Sequence, residues 1–310
     1  MNDSKGSLRV FVHVPKCGGR TVQQHLARHL GPCFWSVDKR FHHLPLELFG
    51  RKFDRSPAVP LGTIVAVSGH FLGRSVESLF PDRKILRTMI LREPEAQVLS
   101  WYNFRMMRYM TAGQSPYSFR LFLRSMQADP VAHFLLERWL ELPWLRIAAL
   151  SPADKRQLLD ATLEQFDVID DIAKTDEVIA WHSAALGIPQ QAIRANDSQE
   201  LARQTGWRPI GLEDLSQSER EDLSGSLRLD TYLWRKWALK EDAAFGPMTN
   251  SFFIRKELSR MMPQVWRRVV RSRTFGRMLN RNGAIRMADK AASVSLAVLP
   301  SGPTANPKGS

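Results

Sequence analysis

Lys16, Gly18, Gly19 and Thr21 fall within six residues, directly after the apolar run Val10-Phe11-Val12-His13-Val14-Pro15. An ammonium, two positions without side chains and a hydroxyl, in that order, suit the grip on a phosphate-like anion. The apolar run reads as a β-strand that stops at Pro15. Val22, Leu26 and Leu30 then recur on one face of a helix. A strand, a tight turn and a helix start leave backbone N–H groups facing outward, and the helix dipole adds to their pull on an anion. Gly18 and Gly19 are expected to leave room for a phosphate against the main chain. Lys16 supplies a point charge and Thr21 a hydroxyl donor, with Cys17 and Arg20 completing the loop. A chance Gly-Gly turn is the plain structural alternative.

Two further segments carry chemistry. Lys84 to Arg92 reads as a buried strand, and Glu93-Pro94-Glu95 as the start of a helix, with proline in the first turn and acids at the positive end. This sets Arg92 at the strand end and Ser100 two turns into the helix. The guanidinium fork of Arg92 suits bidentate phosphate binding, and Ser100 adds a neutral donor. An N-capped helix with an ordinary salt bridge is the alternative. Between the two motifs, Val65-Ala66-Val67-Ser68-Gly69-His70-Phe71 reads as a strand whose end delivers His70 into a cleft. Histidine, with an unperturbed pKa of about 6.5, suits taking a proton from a hydroxyl nucleophile. A histidine satisfied by a backbone carbonyl is the other reading, and His42, His43 and Asp38 are alternative bases.

The Walker pattern places its lysine after the glycines, whereas Lys16 precedes them. That order resembles the 5′-phosphosulfate loop, Pro-Lys-Thr-Gly-Gly-Thr-Ser, of sulfotransferases that use 3′-phosphoadenylyl sulfate (PAPS). Cys17 and Arg20 depart from that form. The family's 3′-phosphate signature, Arg-Asp-Pro followed by Ser-x-Tyr, is similar to Arg92-Glu93-Pro94 and Ser100-Trp101-Tyr102, with Gln97 where arginine is frequent. Heparan and uronyl 2-O-sulfotransferases also carry a Gly-His about twenty residues before that signature, as Gly69-His70 does here. The resemblance covers about residues 8 to 245. It implies an α/β fold, a P-loop-like parallel sheet flanked by helices, and sulfuryl transfer from PAPS to a carbohydrate hydroxyl, yielding 3′,5′-adenosine bisphosphate. It further implies 5′-phosphosulfate binding by Lys16 to Thr21, 3′-phosphate binding by Arg92 and Ser100, His70 as base, Lys16 as charge stabiliser, and no metal requirement. A P-loop kinase using ATP and a non-catalytic, membrane-associated nucleotide-binding scaffold are the competing classes.

Composition bounds the rest. The chain has 310 residues, 44% of them hydrophobic, enough for one large α/β domain. Of the formal charge of +13, residues 245–310 carry 12 Lys/Arg against 2 Asp/Glu, a net +10, which leaves +3 for residues 1–244. The expected division is a domain at 1–245 and a basic, amphipathic or partly disordered extension at 246–310. Residues 255–290 suit an anionic membrane surface or remain a solvated tail. No nucleic-acid fold motif accompanies the basicity, so nucleic acid is not expected as a partner. Two cysteines, Cys17 and Cys33, form no disulfide or metal framework. Cys17 at a helix start beside Lys16 is expected to be a reactive thiol shielded by PAPS. With no signal peptide or membrane span read from the sequence, a cytoplasmic location is expected, peripheral at the inner face of the membrane if the extension binds lipid.

Overall fold

The computed structural model describes residues 6–37, 59–191 and 197–243, and every statement of absence below concerns these residues. Asp38, His42, His43 and the basic extension lie outside them. The described chain is an α/β arrangement around one five-stranded sheet in which every pair is parallel. The strands are β1 (Ser7–Val12), β2 (Phe34–Ser36), β3 (Ala66–Gly69), β4 (Lys84–Leu91) and β5 (Val168–Asp171), in the order β2-β3-β1-β4-β5. All six residues of β1 are buried, as expected for a strand central in a parallel sheet.

The helices are α1 (Gly19–Leu30), α2 (Pro94–Thr111), α3 (Phe119–Ser125), α4 (Pro130–Phe134), α5 (Trp144–Ala149), α6 (Pro152–Leu163), α7 (Thr175–Leu186), α8 (Asp197–Thr205), α9 (Gln217–Gly225) and α10 (Arg228–Leu233). Pro94, Pro130 and Pro152 occupy first turns, where the missing N–H costs nothing. Pro130 thus opens α4, and Pro143 directly precedes α5. β2 pairs with β3 from Phe34↔Ala66 to Ser36↔Ser68. β5 begins at Val168 because Phe166 closes the turn after α6, its N–H donating to the Leu163 carbonyl.

The strand order fixes where a ligand can approach. From β1 the chain moves to one side for β2 and β3, then crosses to the other for β4 and β5. The connections thus diverge around β1, and ligands of open α/β sheets bind beyond the carboxyl ends at such a point. Register places Val12 level with both Gly69 and Met89, so the residues leaving β3, β1 and β4 emerge side by side. A second apolar cluster, including Val98, Tyr102, Met106, Phe122 and Leu223, joins α2 to α3 and α9.

A pair of buried aspartates ties distant segments together. Asp129, in the left-handed region at φ 48°, accepts from the backbone N–H groups of Leu229 (2.8 Å) and Asp230 (3.2 Å). Asp230 in turn accepts from Val131 (2.9 Å) and Ala132 (2.8 Å). Each carboxyl thus caps the other's helix, satisfying donors that an apolar interior would leave unpaired. Burial, followed by the neighbouring Asp129, pushes the Asp230 carboxyl well above the usual carboxylate range. Nearby, Trp234 Nε1 donates to Asp171 (2.7 Å) and Trp237 Nε1 to Asp160 (2.9 Å), clasping the segment after α10 onto the sheet and α6.

Candidate functional site

The loop between β1 and α1 is built by two left-handed residues, Lys16 at φ 66° and Gly18 at φ 76°. For a lysine this conformation costs about 1–2 kcal/mol, so the surrounding contacts must hold it. Three of them come from α2 and from Arg92, just after β4. Gln97 Nε2 donates to the Pro15 carbonyl at 2.9 Å, the Arg92 guanidinium reaches the Lys16 carbonyl at 3.5 Å, and the Lys16 ammonium lies 4.2 Å from the centroid of Phe104. Loop carbonyls are thereby drawn toward α2. Gly18 caps α1, which has no side-chain cap and no acidic residue in its first turn. The positive end of the helix dipole is thus not answered by an acid of its own helix, a setting that favours an external anion.

The glycines serve the interior as well as any ligand. A Cβ on Gly19 would stand 2.3 Å from His13 Cδ2, and one on Gly18 would press Ile172 Cγ1 at 3.0 Å. The space at these positions is thus already used by protein, a reason the reading from sequence did not contain. Arg20 is exposed, Thr21 is half-buried, and the Thr21 N–H donates to the Gly18 carbonyl at 3.0 Å.

Cys17 corrects the expectation of a reactive thiol. Its side chain is 1% exposed, and Sγ lies 3.7 Å from the Pro15 carbonyl. Burial pushes the thiol pKa far above its ordinary value and outweighs the opposing pull of Arg92. Any contribution of Cys17 to anion binding is through its main chain.

His70 leaves β3 beside the loop and is exposed. Its Nδ1 lies 2.9 Å from the His13 carbonyl, which can only accept, so Nδ1 carries the hydrogen and the neutral ring keeps its lone pair on Nε2. The alternative reading, a histidine satisfied by a backbone carbonyl, holds for Nδ1. His13 packs its ring on His70 with centroids 3.9 Å apart.

Arg92 and Ser100 are brought together. Both line a cavity of about 750 Å³ along α2, whose far wall is formed by Pro209, Ile210 and Gly211. Asn103 fixes that wall: its Oδ1 accepts from Trp207 Nε1 (3.1 Å) and the Ile210 N–H (3.0 Å), and its Nδ2 donates to the Ile210 carbonyl (2.9 Å). Sequence reasoning did not single out Gln97 as a tether, Phe104 as the seat of Lys16, or Asn103. The helical signal was available, since Ser100, Asn103 and Phe104 follow at three- and four-residue spacing. Among the described residues, no helix is long and apolar enough to cross a membrane. Against known protein families and curated proteins, the chain matches no family model and no curated protein.

Proposed function

We propose that this protein is a sulfotransferase that moves the sulfuryl group of PAPS onto a hydroxyl, with a carbohydrate as acceptor. The observation that carries the reading is the convergence of three motifs at adjacent carboxyl strand ends: the Lys16–Thr21 loop after β1, His70 after β3 and Arg92 after β4. The left-handed turn and the uncapped start of α1 suit the 5′-phosphosulfate. The cavity that Arg92 shares with Ser100 suits the 3′-phosphate and its nucleoside. The parallel sheet, with the lysine ahead of the glycines, supports a P-loop-like binding mode.

In the proposed reaction the acceptor hydroxyl yields its proton to His70 Nε2 as its oxygen attacks sulfur. The new S–O bond forms in line with the breaking bond to the 5′-phosphate, and 3′,5′-adenosine bisphosphate leaves. Lys16 balances the charge that grows on the bridging oxygen, and positioning supplies much of the remaining acceleration. A kinase reading finds less support at the end of β5. Asp171 there already accepts from the Ala173 N–H and Trp234 Nε1, and Asp170 pairs with Lys174 at 3.6 Å.

The test is a thermal shift with 3′,5′-adenosine bisphosphate against ATP and magnesium, followed by transfer of labelled sulfate from PAPS to glycan acceptors. A shift with the bisphosphate and labelled product are expected. Preference for ATP and magnesium, without sulfate transfer, would overturn the reading. Lys16→Ala should lower turnover by about 10²–10³, the scale of losing one transition-state donor.

A further inference from the structure

We infer that His13 is the positioning residue for His70, fixing both its tautomer and its distance from the anion loop. The role rests on the proposed reading of His70 as base. It draws on four contacts converging on one buried residue.

The main-chain carbonyl of His13 accepts the His70 Nδ1 hydrogen at 2.9 Å, while the imidazole of His13 lies on the His70 ring at a tilt of 32°. One residue therefore supplies both the acceptor and the platform. Its own ring is held from behind. Nδ1 lies 3.0 Å from Gln23 Oε1, and Gln23 Nε2 donates to Ser36 Oγ at 2.9 Å. With the amide nitrogen turned to Ser36, its oxygen faces His13 and accepts, so the His13 hydrogen also sits on Nδ1. The edge of the ring meets Gly19, where a Cβ would stand 2.3 Å from Cδ2. The imidazole thus fills the gap between the first residue of α1 and the His70 ring. The helix start and the base keep their spacing through it. Burial, reinforced by His70, holds the His13 pKa down at about 3, so the platform stays uncharged.

A residue that only fills space would leave the proton on His70 where it was. Nitrogen-15 NMR of the His70 ring at about pH 8.5, above the ordinary histidine range, separates the two cases without requiring any turnover. The native chain should show a single tautomer, with hydrogen on Nδ1. His13→Ala keeps the acceptor carbonyl but removes the imidazole that holds the His70 ring against it, so the ring should turn away from the carbonyl and populate both tautomers. Gln23→Leu, which leaves His13 in place but unanchored and keeps the fold if the alanine variant does not, should do so to a lesser degree. A native single-tautomer pattern in a folded His13→Ala protein, or in Gln23→Leu where the alanine variant does not fold, overturns the inference. With PAPS and an acceptor, kcat should fall about tenfold or more while KM for PAPS holds. Unchanged kcat in a variant whose tautomer has shifted also overturns the positioning role. Absence of sulfate transfer by the native chain overturns the sulfotransferase reading and the role in catalysis, while the NMR result still reports separately whether His13 sets the His70 tautomer.

Discussion

Cys17 stands one residue before a left-handed glycine at a helix start, where the dipole favours a thiolate, yet its sulfur is sealed from water. Desolvation of a charged sulfur outweighs the dipole in so closed a place. Alkylation of the native protein should therefore modify half-buried Cys33 and spare Cys17, with or without nucleotide. Mass spectrometry of the modified peptides checks this, and rapid native modification of Cys17 would contradict it. The same contrast explains what was legible residue by residue. Lys16, His70 and Arg92 could be picked out because strand, turn and helix signals stand next to them in the chain. The partners that hold them could not. Gln97 reaches Pro15 across 82 positions of sequence, and Phe104 lies under Lys16 only because α2 packs beside the loop.

Individual elements were legible where pattern and flanking residues agreed. β1, β4, α1 and α2 lie where apolar runs, glycines and prolines place them. β2 was not, since three residues in a proline-rich stretch offer no period to read, and pairing with β3 alone makes them a strand. The cavity wall at 207–211 is likewise invisible in sequence, because it is irregular backbone. Asn103 gives that wall three hydrogen bonds, each worth about 1 kcal/mol net. Asn103→Ala should therefore leave the sheet intact but speed amide hydrogen exchange at Ile210 and its neighbours by about tenfold or more. Exchange there at the native rate would show that packing of Trp207 against Tyr102, with ring centroids 6.0 Å apart, is sufficient.

For the molecule as a whole, buried histidines set the response to acid. Burial holds His13 and His182 at about 3, and His25 is also lowered, first by burial and then by His29. His182 Nε2 lies 2.9 Å from Thr88 Oγ1, and His25 Nε2 lies 2.9 Å from Ser183 Oγ. These rings are neutral in the folded chain and protonate near 6.5 once unfolded, so the unfolded state binds more protons as pH falls. The contribution of His13 and His182 is fully present above about pH 6.5 and is lost progressively toward 3, at about 1.4 kcal/mol per pH unit for each ring, and His25 acts in the same direction. Thermal unfolding should show a Tm insensitive to these groups above pH 6.5 and a steep fall below about 6. His182→Gln should flatten that fall, and equal slopes in both proteins would refute the assignment.

The two interlocked aspartates also order events in time. The donors at the start of α4 wait for a carboxyl about a hundred positions further along, and the donors at the start of α10 wait for one already made. A chain growing from the ribosome thus emerges with the start of α4 unsatisfied, and only near the end of the described segment does the docking of α10 complete both helix starts. Until that docking, the amides at the start of α4 lack their native acceptor.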